Sequence, residues 1–464
     1  MHRLGAVCAA GTLFFAPKRL YLKLHNRFVF YRKGNVILTV FIETFGCKVN
    51  SYESAALYRL FGEAGYSPAD TLQRADVVVI NSCTVTENSD RKARAFINKT
   101  RRENPAAVLV LCGCFPQAFP EKTESLDVDV LMGSGTRLET VGAVQRFKQT
   151  GQKQNLLRSL EGAAFEPLEA DELLEHTRAF LKIEDGCQRF CAYCAIPKAR
   201  GPVRSMPLDE VRRQAQNFAA KGYREIVLAG INLSAYGSDL GCDLGDAVLA
   251  VAEAEGVVRI RLGSLECDIL TDEILDKFAR CDKFCPQFHL SLQSGSDNTL
   301  RRMHRRYRAA EYADVCERIR ARFDAPTFTT DIICGFPGET EQDHKDSIAF
   351  CESIGFIRAH VFPYSRRGGT AAARMDGHLP RAEKERRARE MSAATNTRAE
   401  QELQKFVGRT ARVVLEQPQP DGSYSGYTDR YLPARVYGEA LCPNGVAEGV
   451  IEAIEGGCAV IRTK

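Results

Sequence analysis

Residues 179–194 read AFLKIEDGCQRFCAYC, a short apolar strand pattern followed by three cysteines with the spacing CxxxCxxC. The cysteines, Cys187, Cys191 and Cys194, lie in one predicted loop, so their sulfurs can converge on one point. Three thiolates bind three irons of a [4Fe–4S] cluster and leave the fourth iron open for chemistry. A zinc site would need a fourth ligand, and the next histidine along the chain is His289. The motif therefore predicts an iron–sulfur cluster with one open iron.

Five further strand patterns follow this motif, and helical segments separate them. Together with the strand before the motif they make six strand–helix units, which are typical of a parallel barrel or part of one. Small and polar residues follow each strand, so we expect the site at the carboxyl-terminal face. The predicted strands are residues 179–183, 224–229, 258–262, 288–292, 328–334 and 357–362.

Three earlier strand patterns are each followed by a cysteine. They are residues 36–44 with Cys47, 75–80 with Cys83, and 107–111 with Cys114. Helical segments between them predict parallel βαβ units, whose carboxyl ends share one edge of a sheet. At that edge the cysteines can hold a second [4Fe–4S] cluster or a zinc ion with an outside ligand, and three buried thiols are the alternative. Cys112 competes with Cys114, but it directly follows the apolar run and is expected to be structural.

The cysteine loop and the strand series resemble the radical S-adenosylmethionine superfamily. In that family the open iron binds the amino and carboxylate groups of S-adenosylmethionine, which is cleaved to methionine and a 5′-deoxyadenosyl radical. The resemblance implies a partial (β/α)6 barrel with cofactor contacts at its strand ends. The implied contacts are Tyr193 beside the last cysteine, Gly230 and Ile231 at the methionine amino group, Ser264 and Glu266 at the ribose, Gln293, and Gly335 in the adenine-side turn. Cys267 replaces the family's usual proline.

The cysteine domain, the barrel and a short β-rich tail together resemble the radical S-adenosylmethionine methylthiotransferases. Residues 45–54 (FGCKVNSYES), 289–296 (HLSLQSGS) and 360–365 (HVFPYS) resemble the tRNA N6-threonylcarbamoyladenosine branch, the MtaB type. The resemblance implies two [4Fe–4S] clusters and two S-adenosylmethionines that transfer a methylthio group to carbon 2 of the modified adenosine at position 37 of tRNA. The alternatives are isopentenyladenosine in tRNA, a ribosomal protein side chain, and a non-catalytic zinc or iron–sulfur RNA-binding protein.

The chain has 464 residues and 17 cysteines, an odd number at a density well below that of a disulfide scaffold. Cluster chemistry needs reduced thiols, so we expect a cytoplasmic protein. Residues 1–35 are expected to be a disordered leader or a mis-assigned extension. No apolar run reaches 18 residues, so no membrane span is predicted. The implied partners are tRNA, S-adenosylmethionine and an electron donor such as flavodoxin or ferredoxin, and we expect a monomer.

Charge alone does not indicate a nucleic-acid binder, because 63 basic residues face 59 acidic ones. Basic residues nevertheless cluster at 90–102, 301–322 and 381–389, where they can contact phosphates or form solvated helix faces. Beside the cysteine loop, Lys198, Arg200 and Arg204 are candidate phosphate or substrate contacts.

The predicted organisation is α/β with a small β-barrel at the end. A Rossmann-like parallel-sheet domain at 36–150 is followed by a linker at 151–175, the barrel at 176–400 and the tail at 401–464. Five short strand patterns in the tail predict the small β-barrel, which resembles the RNA-binding TRAM domain. Tyr427 and Tyr431 are candidates there for RNA contact or for the core.

Overall fold

The computed structural model describes residues 38–170 and 177–463, so the predicted extension at 1–35 lies outside the described residues. The first described region is a six-stranded sheet in the order β2-β1-β3-β4-β5-β6, and every neighbouring pair is parallel. Its strands are β1 Thr39–Thr44, β2 Ser67–Pro68, β3 Val77–Ser82, β4 Val108–Gly113, β5 Val130–Met132 and β6 Gln154–Leu156. Its helices are α1 Lys48–Glu63, α2 Glu87–Glu103, α3 Cys114–Ala118 and α4 Thr140–Thr150.

The registers of β1, β3 and β4 place their carboxyl ends level. Thr44 is opposite Asn81, and Ser82 is opposite Gly113. Strand β6 pairs with β5 inside the segment predicted as a linker, so the sheet extends beyond the predicted boundary at residue 150. The sequence pattern missed β6 because this edge strand is short and polar.

The second region contains six main parallel strands in sequential order, in two sheets, β11-β10-β7 and β12-β13-β14-β15. Only Gly263 separates β11 from β12, so these two short strands together form one of the six strands of the barrel. The strands are β7 Arg178–Lys182, β8 Glu184–Asp185, β9 Arg204–Ser205, β10 Glu225–Ala229, β11 Arg259–Leu262, β12 Ser264–Leu265, β13 Gln287–Leu290, β14 Thr327–Cys334 and β15 Arg358–Pro363. The helices are α5 Ile196–Arg200, α6 Leu208–Ala220, α7 Leu244–Ala252, α8 Asp272–Ala279, α9 Asp297–Arg302, α10 Ala309–Arg322, α11 Glu341–Ile354 and α12 Arg381–Gln404.

The two faces of the barrel strands differ in chemistry. Ile260 and Leu262 belong to the apolar core that the helices cover. Arg259 and Arg261 alternate with them and point to the opposite, inner face, because successive strand residues face opposite sides. Strands β7 and β15 do not pair with each other in the described part of the chain, so the barrel is partial. Its interior, called the lumen below, is lined by polar side chains such as Glu225, Arg259 and Arg261.

The tail is a closed five-stranded barrel, as the strand patterns predicted. Its strands are β16 Thr410–Pro418, β17 Tyr424–Thr428, β18 Pro433–Tyr437, β19 Val446–Glu455 and β20 Cys458–Arg462. Together the three regions confirm the predicted α/β class with a parallel-sheet domain, a partial barrel and a small β-barrel. Among the residues that the structure describes, no helix is long and apolar enough to cross a membrane.

Candidate metal centres at two cysteine sites

The CxxxCxxC loop is held by backbone contacts around each cysteine. Gly186 has φ +108°, and a Cβ there would collide with the carbonyl oxygen of Pro202. The amide of Cys187 donates to Gly201 O at 2.9 Å, and the amide of Cys194 donates to Cys191 O at 2.9 Å. These constraints turn the three cysteines toward one another, so that each of Cys187 and Cys194 lies within electrostatic reach of Cys191.

A buried arginine contacts this first cysteine site. Arg305 Nη1 donates to Cys191 Sγ at 3.3 Å, and the same guanidinium forms an ion pair with Glu266. Burial raises the pKa of Cys187 and of Cys194 to about 12, and the neighbouring cysteines add to the effect. Free thiolates are therefore unfavourable here, and a bound metal would supply the positive charge that stabilises them.

The strand-end cysteines form the second site. Cys47 caps α1 and is exposed, Cys83 directly follows β3, and Cys114 begins α3. All three are within electrostatic reach of one another, whereas Cys112 belongs to the core on the other face of the sheet. Gly113, at φ +99°, ends the strand alternation between Cys112 and Cys114 and begins the turn into α3. The structure thus brings the three predicted cysteines together and leaves Cys112 in the core.

The spacing of the sulfurs bears on which group each site fits. Within the described residues, no three His, Cys, Asp or Glu side chains are close enough to bind one metal ion. A zinc ion needs its ligands around a single atom, whereas the cysteines of a [4Fe–4S] cluster bind different irons and stand further apart. Each group of three cysteines matches the number of ligands that leaves one iron of such a cluster open.

A buried charge network connects the two sites. Arg200 ends α5, the helix that follows the CxxxCxxC loop, and its Nε donates to Cys114 Sγ at 3.1 Å. The same guanidinium binds Glu53 of α1, with Nη2 to Oε2 at 3.1 Å. Glu53 is 0% exposed and also pairs with Arg137 at 2.8 Å and with Lys182 at 2.8 Å. Burial alone would raise the pKa of Glu53, but these three cations lower it below its usual range.

The sequence makes Lys198, Arg200 and Arg204 candidate phosphate or substrate contacts, and in the structure Arg200 and Arg204 are buried and bonded to other protein groups. Arg200 is fully buried in the charge network, and Arg204 donates to the carbonyls of Arg200 and Pro202. Lys198 alone of the three is exposed. The sequence did not indicate the network because its members are distant in sequence, although basic residues on an otherwise apolar strand such as β7 gave a partial signal.

The residues predicted at the methionine end of S-adenosylmethionine lie next to the cysteine loop. Gly230 packs so closely on Glu184 that a Cβ would lie 2.6 Å from Glu184 Oε2. That oxygen accepts from the amide of Asn232 at 2.7 Å. Among the described residues, Glu184 Oε1 and Asn232 Oδ1 are buried acceptors without a hydrogen-bond partner. Since an amino group would satisfy such acceptors, these residues fit the predicted cofactor.

The other predicted cofactor contacts lie at the ends of successive strands. Ser264 is exposed on β12. Glu266 lies two residues further along the chain, and its carboxylate forms the ion pair with Arg305. Gln293 follows β13 with a left-handed backbone at φ +70°. Gly335 follows β14, and its amide donates to the Glu339 carboxylate at 3.0 and 3.1 Å.

Two further predicted contacts lie near the cysteine loop and after β10. The ring of Tyr193 packs edge-on to the ring of Phe336. Ile231 lies in the turn after β10.

The two tail tyrosines pack between the tail and the large barrel. Tyr427 and Tyr431 stack with ring centroids 4.6 Å apart. The Arg178 guanidinium lies 4.8 Å from the Tyr427 ring, and the Arg261 guanidinium lies 4.9 Å from the Tyr431 ring. Arg261 also donates to the carbonyl of Thr428 at 3.0 Å. These contacts favour the structural alternative for both tyrosines.

The partial barrel and the CxxxCxxC loop at its carboxyl-terminal face define a radical S-adenosylmethionine enzyme. Residues 181–351 match the family model of the radical SAM superfamily, and residues 39–133 match the model described as uncharacterized protein family UPF0004. The radical S-adenosylmethionine methyltransferase TsrM from Kitasatospora setae shares the fold, with a TM-score of 0.54, 13% identity and coverage of 72% of this chain and 75% of that chain.

Two curated relatives narrow the family further. The threonylcarbamoyladenosine tRNA methylthiotransferase MtaB of Bacillus subtilis is 37% identical over 85% of this chain and 89% of its own length. Its counterpart in Thermotoga maritima is 35% identical over 87% and 92%. The chain therefore belongs to the radical S-adenosylmethionine tRNA methylthiotransferases of the MtaB type, which use S-adenosylmethionine and [4Fe–4S] clusters. A tRNA-2-methylthio-N(6)-dimethylallyladenosine synthase of Clostridium perfringens is also similar, at 32% identity over 81% of this chain and 86% of its own length.

Proposed function

We propose that the protein transfers a methylthio group to carbon 2 of N6-threonylcarbamoyladenosine at position 37 of tRNA. In this proposal Cys187, Cys191 and Cys194 hold the cluster that binds S-adenosylmethionine. The second [4Fe–4S] cluster is held by Cys47, Cys83 and Cys114. The observation that carries the proposal is the direct link between the sites, in which Arg200 follows one cysteine loop and donates to Cys114 of the other group at 3.1 Å.

When bound, the cofactors supply an electron, a 5′-deoxyadenosyl radical and a methylated sulfur, with two S-adenosylmethionines used per transfer. The chain orients these groups. The Glu184 and Asn232 acceptors suit the methionine amino group, and the Gly335 turn suits the adenine. The polar lumen below them holds the substrate base away from bulk water, which protects a radical from side reactions.

Dimethylallyladenosine in tRNA is the second candidate substrate, because a relative of that specificity is 32% identical. The inner face of the barrel favours the threonylcarbamoyl substrate. His289 and Asp331 lie on this face, with His289 Nε2 3.2 Å from Asp331 Oδ2. Such groups suit the hydroxyl and amide groups of the threonylcarbamoyl substituent better than an apolar dimethylallyl chain.

Iron analysis tests the cofactor arrangement. Two [4Fe–4S] clusters predict about eight irons per anaerobically reconstituted chain, and replacement of Cys187, Cys191 and Cys194 by Ala should remove half. A C242A/C442A/C458A variant is the matched control, since the structure leaves these cysteines outside both sites. A single cluster or stoichiometric zinc would contradict the proposal.

Nucleoside mass spectrometry tests the substrate. Cells that lack the gene should lose 2-methylthio-N6-threonylcarbamoyladenosine from tRNA and accumulate the unmethylthiolated nucleoside, and the cloned gene should restore it. Loss of the dimethylallyl derivative instead would support the second candidate. Loss of neither, in a cell without a parallel enzyme, would overturn both. Flavodoxin or ferredoxin as the electron donor, a monomeric state and a cytoplasmic location stay predictions.

A further inference from the structure

Lys48 brings a positive charge from the sheet domain into the barrel lumen. It directly follows Cys47 at the start of α1, and its Nζ lies 6.0 Å from the centroid of the Phe180 ring. Phe180 belongs to β7, two residues from Arg178 and from Lys182, so all three share the inner face of the barrel. The Lys48 side chain is exposed to solvent. Lys48 is therefore an accessible charged group beside the inner face of β7.

The cations around Lys48 have carboxylate partners, whereas Lys48 has none in the described part of the chain. Arg178 pairs with Glu416 at 3.2 Å, and Arg261 pairs with Glu225 at 2.9 Å. Within the described residues, no carboxylate oxygen lies within 4.0 Å of Lys48 Nζ, whereas Arg178, Arg261 and the Tyr431 hydroxyl are within electrostatic reach. The charge of Lys48 is therefore not offset by a described carboxylate, and it can attract an anion.

We propose that Lys48 binds the carboxylate of the threonylcarbamoyl substituent on the substrate adenosine. This inference rests on the proposed function and deepens it. The substituent leaves the purine at N6, only one ring nitrogen and one ring carbon away from carbon 2. A base whose carbon 2 faces the Cys47 site therefore carries its substituent close to Lys48, the next residue in the chain. Lys48 then selects substrates that end in a carboxylate.

A tRNA backbone phosphate is the other anion that could reach a lysine, and the position of Lys48 argues against it. Lys48 lies beside the inner face of β7, with its Nζ 6.0 Å from the centroid of the Phe180 ring, and not among the basic residues of α2. Exposed basic residues of α2, among them Arg91, Lys92 and Lys99, offer phosphates a more accessible surface. The two sources are distinguishable because only the carboxylate depends on the nucleoside modification.

The experiment compares two anticodon stem-loop RNAs with the anaerobically reconstituted holoenzyme. One RNA carries N6-threonylcarbamoyladenosine, and the other carries its methyl ester, which lacks only the negative charge. Dissociation constants are measured by fluorescence anisotropy, and kcat/KM for methylthiolation is measured in parallel. The variants are Lys48→Gln and Lys48→Arg, with Lys153→Gln as the control, because Lys153 is 61% exposed on the far edge of the sheet. Iron content and circular dichroism verify that each variant is folded and loaded.

The native protein should bind the carboxylate RNA about tenfold or more tightly than the ester, as expected for a charge-assisted contact. Lys48→Gln should abolish that preference while leaving ester binding unchanged, Lys48→Arg should retain part of it, and Lys153→Gln should change neither. Equal weakening of both RNAs by Lys48→Gln would indicate a phosphate contact and overturn the proposal, as would an unchanged preference. A native protein that methylthiolates neither RNA would instead contradict the proposed function.

Discussion

Each of the two cysteine sites brings three cysteines together, but the two sites use different parts of the chain to do so. Cys187, Cys191 and Cys194 occur within eight residues of one loop, whereas Cys47, Cys83 and Cys114 are brought together by the adjacency of β1, β3 and β4. Local backbone bonds therefore determine the first site, and sheet topology determines the second. A disturbance of one loop should affect only the first site, but a disturbance of the sheet or of its contact with the barrel should affect the second.

The two sites nevertheless share two local features. A left-handed glycine precedes a cysteine in Gly113-Cys114 and in Gly186-Cys187. At each site one sulfur also accepts a hydrogen bond from a buried arginine that belongs to a different segment, with Arg200 on Cys114 and Arg305 on Cys191. Each glycine gives the chain a sharp turn that other residues rarely adopt, and each arginine places a positive charge next to a thiolate.

The largest expected effect comes from removal of either cysteine group, since each should abolish methylthiolation for a different reason. The C47A/C83A/C114A variant should keep about half of the iron and still cleave S-adenosylmethionine to 5′-deoxyadenosine. The C187A/C191A/C194A variant should keep the other half and cleave none. Liquid chromatography of 5′-deoxyadenosine and iron analysis provide the measurement. Equal cleavage by both variants would show that the two sites do not differ in their chemistry.

The next largest effect concerns Glu53, the carboxylate that both sites share. Glu53→Gln would leave Arg137, Lys182 and Arg200 buried without their common partner, which should lower the free energy of unfolding by about 3–5 kcal/mol. Glu63→Gln on the same helix is the matched control, because Glu63 is 57% exposed in an i,i+4 pair worth about 0.3–0.5 kcal/mol. Chemical denaturation of the apoprotein measures the difference. A small effect at Glu53 would mean that the network does not join the two regions.

The Glu53 effect should also depend on pH. The three cations hold its folded-state pKa below the usual range, so its contribution to stability is present above the unfolded pKa of about 4.3 and is lost as pH falls through the folded value. The difference in stability between the native protein and Glu53→Gln should therefore be constant near neutral pH and shrink in acid. A difference that grows on acidification would contradict this direction.

The comparison also explains what the sequence could predict. Cysteine spacing and strand ends predicted both groups of three, because β-branched runs such as Val77–Ser82 mark a buried strand directly. The link through Glu53 and Arg200 was not predictable, since 147 residues separate them and only the folded barrel brings them together. The polar lumen left a readable signal in the alternation of Arg259 and Arg261 with apolar neighbours. Short edge strands such as β6 gave almost no signal in the sequence.

A smaller effect is expected from the two glycines, and it should be local. Gly113→Ala would bring a Cβ against Ser82 O, and Gly186→Ala would bring one against Pro202 O, in addition to about 1–2 kcal/mol for the left-handed backbone. Each variant should lose iron from its own site only. Gly65→Ala is the control, because Gly65 has φ +87° but no atom within 4 Å of the added Cβ. Loss of both clusters from either variant would show that the sites assemble together.

The smallest effect tests whether the two arginines tune the clusters that they contact. Hydrogen bonds to cluster sulfurs raise a reduction potential, so Arg200→Gln should lower the potential of the second cluster and Arg305→Gln that of the first. Arg200→Lys keeps the charge beside Glu53 and thereby separates the hydrogen bond from the network. Redox titration followed by electron paramagnetic resonance resolves the two signals, especially in the single-site cysteine variants. If Arg200→Gln shifted the reduction potential of both clusters equally, the charge network rather than the hydrogen bond to Cys114 would set the potential. The charge network would then act on both clusters together.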